Sequence, residues 1–276
     1  MTLALCFHHV TPIGGEHATV PERFHDHLNE LRRAGFGFVD FDTFSRTRLS
    51  GRRLPRRTVL VTTDDGYADN WYWAWPVLRD LGVPSVFFVI TGSIGDGSIR
   101  NVAYEGTRVV VPDHEGGDGR FMRWSELRAL HRTGLVSVQS HTHLHTRRVG
   151  ADDKEKLRVL GEDISTSCER IETEVGLRPL ALAWPWGQSS ARTRSLACEL
   201  GLHMQFTVTP GGIGPWSSSR LMSRLCADER DTAWLLDQAR RITAPLIGDA
   251  YSIARVCWNL ARQAHTRRIG TAAGAA

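Results

Sequence analysis

No stretch of this sequence approaches the roughly 20 consecutive apolar residues that a bilayer-crossing helix needs. The apolar opening, Met1 to Phe7, has no basic segment before it and is too short for the core of a secretory signal. The chain is therefore expected in the cytoplasm or at the inner face of its membrane. Cysteine is sparse, and its spacing makes no pairs: Cys6, Cys168, Cys198, Cys226 and Cys257 are scattered singly, with no CxxC. That pattern excludes a zinc knuckle and a disulfide framework. Neither sign of charge dominates. The net charge of +4, with arginine far outnumbering lysine, is compatible with anionic surfaces or acidic glycans and too small to argue for nucleic-acid binding. What is present is 276 residues, enough for one large α/β domain with a well-buried core.

Strand and helix signals alternate along the chain, which predicts a parallel α/β architecture. Residues 1–7 read as a first strand. Thr19-Val20-Pro21-Glu22 resembles a capping box opening a helix with Phe24, Leu28 and Leu31 on one face, which stops near Gly35. A short strand is expected over 36–41, another over 58–62, and a helix over 71–81 despite Pro76. Residues 85–90 form an apolar run of the kind buried on both faces of a sheet. The Gly-rich stretch 92–120 is too long for a simple connection and reads as a substrate-side loop or an insertion. Beyond it come a helix at 124–132, a strand leading to His141, and a long helix over 152–175 with an apolar stripe through Leu160, Ile164, Cys168 and Ile171. A strand at 180–184, a helix at 189–200 and a strand at 204–209 follow. A further amphipathic helix is expected over 249–265, either packed on the domain or docked on an anionic membrane through Trp258 and its arginines. Gly270 to Ala276 read as disordered.

Two motifs carry chemistry. Thr62-Thr63-Asp64-Asp65-Gly66 follows the apolar run Val59-Leu60-Val61. Adjacent carboxylates at the mouth of a buried strand raise each other's pKa, and desolvation adds to the cost; a bound cation offsets both. An ordinary surface turn would also use Asp-Asp-Gly. The second motif, His141-Thr142-His143-Leu144-His145, puts three histidines just past a predicted strand. Two imidazoles and a carboxylate suit zinc and leave coordination positions open. His141 and His145, four apart, can converge on one point, and His143 then points elsewhere.

Together these residues resemble the polysaccharide deacetylases (carbohydrate esterase family four, the NodB-homology domain). TTDDG is similar to that family's T-F-D-D-G motif, HTHLH to its H-[ST]-x-x-H, and Ala183-Trp184-Pro185-Trp186-Gly187 to its third motif, A-Y-P-[YFW]-G. The order and spacing fit across residues 3–226, and Phe7-His8-His9 resembles the start of the branch acting on poly-N-acetylglucosamine. The resemblance implies a distorted (β/α)7 barrel over residues 1–227, with 228–276 as a helical tail. It implies Asp65, His141 and His145 as ligands of a divalent metal, zinc first, with cobalt, nickel or manganese as alternatives. Asp64 would be the general base, His8 (or His9) the general acid, and a backbone N–H near Trp184 the oxyanion donor. Trp184 and Trp186 would line the acetyl or sugar subsite.

Two departures stand out. Thr63 replaces the usual phenylalanine, and Ala183 stands where many relatives carry an arginine; the nearest basic residue upstream is Arg178, and Arg224 is the candidate left to orient Asp64. The expected activity is release of acetate from an N-acetylated amino sugar in a glycan or glycolipid. A deformylase or other amidohydrolase acting on a lipid-linked or small substrate is the alternative, and a silent carbohydrate-binding protein is the alternative of another class.

Overall fold

The computed structural model describes residues 1–101, 103–105, 108–110, 119–147 and 153–244. The elements in chain order are β1 (Thr2–Phe7), a short ribbon of β2 (His9–Val10) and β3 (Ala18–Thr19), α1 (Pro21–Arg33), β4 (Gly37–Phe38), α2 (Phe41–Leu49) and β5 (Thr58–Thr63). A π-helical turn, Asn70–Ala74, runs into α3 (Trp75–Leu81). There follow β6 (Ser85–Val89), a hairpin of β7 (Ala103–Glu105) and β8 (Arg108–Val110), α4 (Trp124–Arg132), β9 (Val136–Ser140) and α5 (Lys154–Val175). The described chain ends with β10 (Ala181–Ala183), α6 (Ala191–Glu199), β11 (Met204–Phe206), β12 (Leu225–Cys226) and α7 (Thr232–Thr243).

The main sheet runs β11-β10-β9-β6-β5-β1-β12, with β4 paired to the start of β5. Its strand pairs are all parallel. Its two ends meet through the segment before β12: Thr207 N–H donates to Met222 O at 2.8 Å, and Arg224 N–H to Thr209 O at 3.1 Å. This is the expected (β/α) barrel, with its helices outside.

Alternation along the strands sorts the core. Leu3, Leu5, Val59, Val61, Phe87, Val89, Val136 and Val138 pack with α1, α4 and α7 in one layer. Ala4, Leu60, Val86, Phe88, Ala181, Ala183 and Phe206 pack together inside the ring. Because side chains alternate faces with a period of two, the inward row of β5 is Leu60, Thr62 and then Asp64, and that of β1 is Ala4, Cys6 and then His8. Strand parity thus carries polar groups into the barrel mouth at its C-terminal end, where such barrels place their working residues.

Several local expectations are corrected. The start of α1 has no capping box: Val20 is its N-cap and no side chain caps it, Thr19 being held in β3. Pro21 in the first turn, with its φ already helical, supplies the start instead. The strand expected over 36–41 is only Gly37–Phe38, because Asp40 accepts from Thr43 N–H at 2.7 Å and caps α2. The segment beyond 227, expected as a tail, is part of the main core as far as Thr243, since Leu235, Ala239 and Ile242 of α7 are fully buried in it. The helix expected over 249–265, with the membrane contact proposed for it, and the 270–276 segment lie outside the described residues.

Candidate active site

Asp64 is buried just past β5, and its backbone N–H donates to Phe7 O at 2.9 Å, continuing the β1–β5 ladder. Arg224, fully buried just before β12, donates through Nη1 to Asp64 Oδ1 at 2.6 Å and through Nη2 to Oδ2 at 2.7 Å. The same guanidinium also donates to Thr62 Oγ1 and Thr207 O. Burial alone would raise the Asp64 pKa, but the Arg224 charge, with His141 nearby, outweighs it and holds the carboxyl well below the usual range. Arg224 therefore takes the orienting role left open by Ala183, and Arg178 pairs with Glu172 on the surface instead.

Asp65 leaves the strand with φ 69°, and Gly66 follows at φ 81°. Aspartate tolerates this left-handed region better than most residues, and the turn swings its carboxylate toward the histidine loop. The glycine is required: a Cβ at Gly66 would lie 2.8 Å from Ile94 Cδ1 and 3.2 Å from Val89 Cγ1. In that loop Thr142 (φ 67°) and His145 (φ 50°) are also left-handed. Such outliers cost on the order of 1–3 kcal/mol each and here aim the two imidazoles at one point.

Nε2 of His141 is 3.1 Å from Nε2 of His145 and 3.3 Å from Asp65 Oδ1, and His145 Nε2 is 3.6 Å from that oxygen. His141 Nδ1 lies 2.7 Å from Ala183 O, a carbonyl that can only accept, so Nδ1 carries a proton and Nε2 is the atom that faces His145 and Asp65. Asp65 Oδ1 is buried with no hydrogen-bond partner. Burial and the neighbouring His141 push the His145 pKa down to about 4. Three ligand atoms of an Asp-His-His set, all within 4.8 Å of one another around an unpartnered buried carboxylate oxygen, suit a divalent cation. His143 turns away, its Nδ1 2.9 Å from Thr91 Oγ1.

On the other side of Asp64 stands His8. Its ligand atom lies within 4.8 Å of those of Cys6 and Asp64, and its Nδ1 is 2.6 Å from Asp228 Oδ2. Burial pulls its pKa down, but Asp228, Asp64 and Asp65 overcome this and push it up to about 9. His9 faces away, 2.6 Å from Asp69 and stacked on Tyr67. Nothing in the motifs singled out Asp228, and the short strand that positions it, β12, was not expected from the sequence.

The two tryptophans part company. Trp186, at φ 52°, is 43% exposed and packs its ring 4.3 Å from that of His145. Trp184 is a correction: it is 3% exposed and packs with Leu160, Ile164 and Leu182. Its indole N–H donates to Gln205. It follows the outward parity of Leu182, so it cannot line the groove. Its backbone N–H is likewise taken, by Phe206 O, and Pro185 has none, which leaves the Trp186 amide as the next donor in this segment.

The polysaccharide deacetylase family model matches residues 51–205. The poly-beta-1,6-N-acetyl-D-glucosamine N-deacetylase of Escherichia coli (strain K12) is 24% identical over 207 residues, which cover 66% of this chain and 29% of that enzyme. The enzyme of the same description from Staphylococcus aureus (strain N315) is 22% identical over 209 residues, 74% of this chain and 65% of that one. This chain thus spans less than two thirds of the length of either relative. Among solved structures, IcaB from Ammonifex degensii superposes with a TM-score of 0.69 at 25% identity, covering 85% of this chain and 96% of that one. The Streptococcus pyogenes deacetylase PplD, solved with acetate, has the same TM-score at 18% identity, over 86% and 96% of the two chains, and shares the fold. The family match covers more than half of the sequence and contains both the Asp64-Asp65 turn and the histidine loop; the chain belongs to the polysaccharide deacetylase family.

Proposed function

We propose that this protein hydrolyses the N-acetyl group of an N-acetylated amino sugar in a poly-N-acetylglucosamine-type glycan, giving acetate and a free amine. The observation that carries this reading is the arrangement around Asp64. Its ionised carboxylate lies between an Asp-His-His cation set on one side and a protonated His8 on the other. Amide hydrolysis needs these three functions: a polarised carbonyl, a base for water and an acid for the leaving amine.

Asp65, His141 and His145 would hold the cation, zinc being the ion best suited to two imidazoles and a carboxylate. When bound, a divalent cation supplies Lewis acidity to the acyl carbonyl and acidifies a water beside it. Asp64 takes the proton of the attacking water. Arg224 occupies one lone pair on each oxygen, and Oδ2 keeps a face toward His141 at 3.9 Å. His8, held through Nδ1 by Asp228, offers its Nε2 proton to the departing nitrogen, as a histidine–carboxylate pair does in other acyl-transfer enzymes. The Trp186 amide receives the charge that develops on the carbonyl oxygen. Its indole, beside His145, forms an apolar wall for the acetyl methyl or a sugar face.

The test is acetate release from β-1,6-linked N-acetylglucosamine oligomers, with N-formyl oligomers as a parallel substrate. Chelator should abolish turnover and zinc restore it. Formate released faster than acetate would favour the deformylase reading, and no release of either, with zinc bound, would overturn the reading.

A further inference from the structure

The end of the barrel opposite the candidate site holds a polar cavity beside the start of β1. It has a volume of about 190 Å³, and Arg48, Arg52, Arg53 and Arg56 line it together with Ile213 and Trp216; no aspartate or glutamate does. Elsewhere on the surface arginines take acidic partners, as Arg33 does with Glu30, Arg128 with Glu174 and Arg178 with Glu172. Among the described residues these four make no ion pair.

Arg48 is fixed in place: Nη1 donates to Gly214 O at 2.9 Å and Nη2 to Ser217 O at 2.6 Å. Its Nε is buried with no partner. Four arginines lining one cavity with no acidic residue among the lining concentrate positive charge that an anion would offset, and a guanidinium fork matches phosphate oxygens better than any other side chain does. The size argues the same way. Cavities that enclose drug-sized ligands run to about 300–1,000 Å³, so this one suits a head group rather than a sugar chain. At its rim Trp216 is 83% exposed, and Leu49 of the neighbouring helix is 54% exposed.

We propose that this cavity binds a phosphate-class anion, either free phosphate or the phosphate of an anionic lipid head group. The assignment is independent of the catalytic reading, since the site lies at the far end of the strands. The test uses the full chain, with inorganic phosphate in a calorimeter and with phosphatidylglycerol or phosphatidylcholine vesicles in flotation. The comparison variant is R52Q/R53Q/R56Q, which changes three exposed side chains. Expected is saturable phosphate binding, selective flotation with phosphatidylglycerol, or both, reduced at least tenfold in the variant at unchanged zinc content and melting temperature. Phosphate binding without flotation identifies a soluble ligand, and flotation without phosphate binding identifies the lipid. Neither signal in the wild type, or wild-type binding in the variant, overturns the proposal.

Discussion

The Arg224 guanidinium meets both oxygens of Asp64 at 2.6 and 2.7 Å across 160 positions of sequence. Both groups are buried, so the pair is a matched unit: removing one partner leaves the other charged in the interior, at a cost of about 3–5 kcal/mol. Asp64→Asn is expected to lower kcat by about 10²–10⁴-fold, the range of a lost general base, with zinc affinity by calorimetry unchanged. Arg224→Lys keeps the charge but not the fork. The Asp64 pKa should then rise, moving the acidic limb of the kcat/KM profile to higher pH. An unmoved limb would remove Asp64 from the base role.

His8 gives a prediction of opposite sign. Its folded pKa, about 9, is above the ordinary histidine value of 6.5. The stability it contributes is fully present below 6.5 and is lost as pH rises through 9. Asp228→Asn removes the principal cause of the rise. Urea midpoints at pH 6 and pH 10 should therefore differ less in Asp228→Asn than in the wild-type protein, and the basic limb of activity should move to lower pH. A basic limb unaffected by this change would exclude His8 as the acid.

The three cation ligands should be separable from their neighbour. Asp65→Asn and His145→Ala are each expected to lower bound zinc, measured by elemental analysis after dialysis, whereas His143→Ala, whose ring faces Thr91, should retain it. Because a ligand that binds only the folded state stabilises it, zinc should also raise the melting temperature of the wild-type protein and not that of Asp65→Asn. Equal zinc retention in all three variants would rule out this ligand set.

Trp184 and Trp186 should respond differently to truncation. Trp184→Ala empties a core position and should cost about 3–5 kcal/mol of stability. Trp186→Ala should raise KM while leaving the denaturation midpoint nearly unchanged. A KM equal to wild type in Trp186→Ala would take that ring out of the substrate groove.

Ile242→Ala in α7 is expected to destabilise the whole protein by about 2–5 kcal/mol in a single cooperative transition. A separate early transition would instead mark α7 as an independent appendage.

Much of the barrel was legible because its strands are nearly pure apolar runs and its outer helices carry stripes at helical spacing. The 124–132 helix and the 154–175 helix lie within two residues of their predicted bounds. The α2 helix was hidden because its N-terminal aromatic residues read equally well as strand, and only the Asp40 cap decides the matter. The α7 helix lies past the last family motif, where no spacing in the sequence ties it to the barrel. At the site, the motifs and the resemblance pointed to Asp64, Asp65, His141 and His145, and the fold brings these side chains together. Local spacing could not yield Asp228, or separate Trp184 from Trp186: the first depends on which strands become neighbours and the second on a left-handed residue. The roles of Asp64 and Asp65 differ through the same kind of feature, since the positive φ at Asp65, rather than strand alternation, sets its direction.

The parallel pairing of β1 with β12 also fixes an order of events during synthesis. The proposed cation ligands follow β5 and β9, which β6 separates in the sheet, and all of them precede the last strand in the chain. Arg224 and Asp228 arrive only with that strand, and they set the charge states of Asp64 and His8. On the proposed function, a nascent chain would be able to capture a cation before it could hydrolyse its substrate, and catalytic competence would begin only when the two ends of the barrel meet.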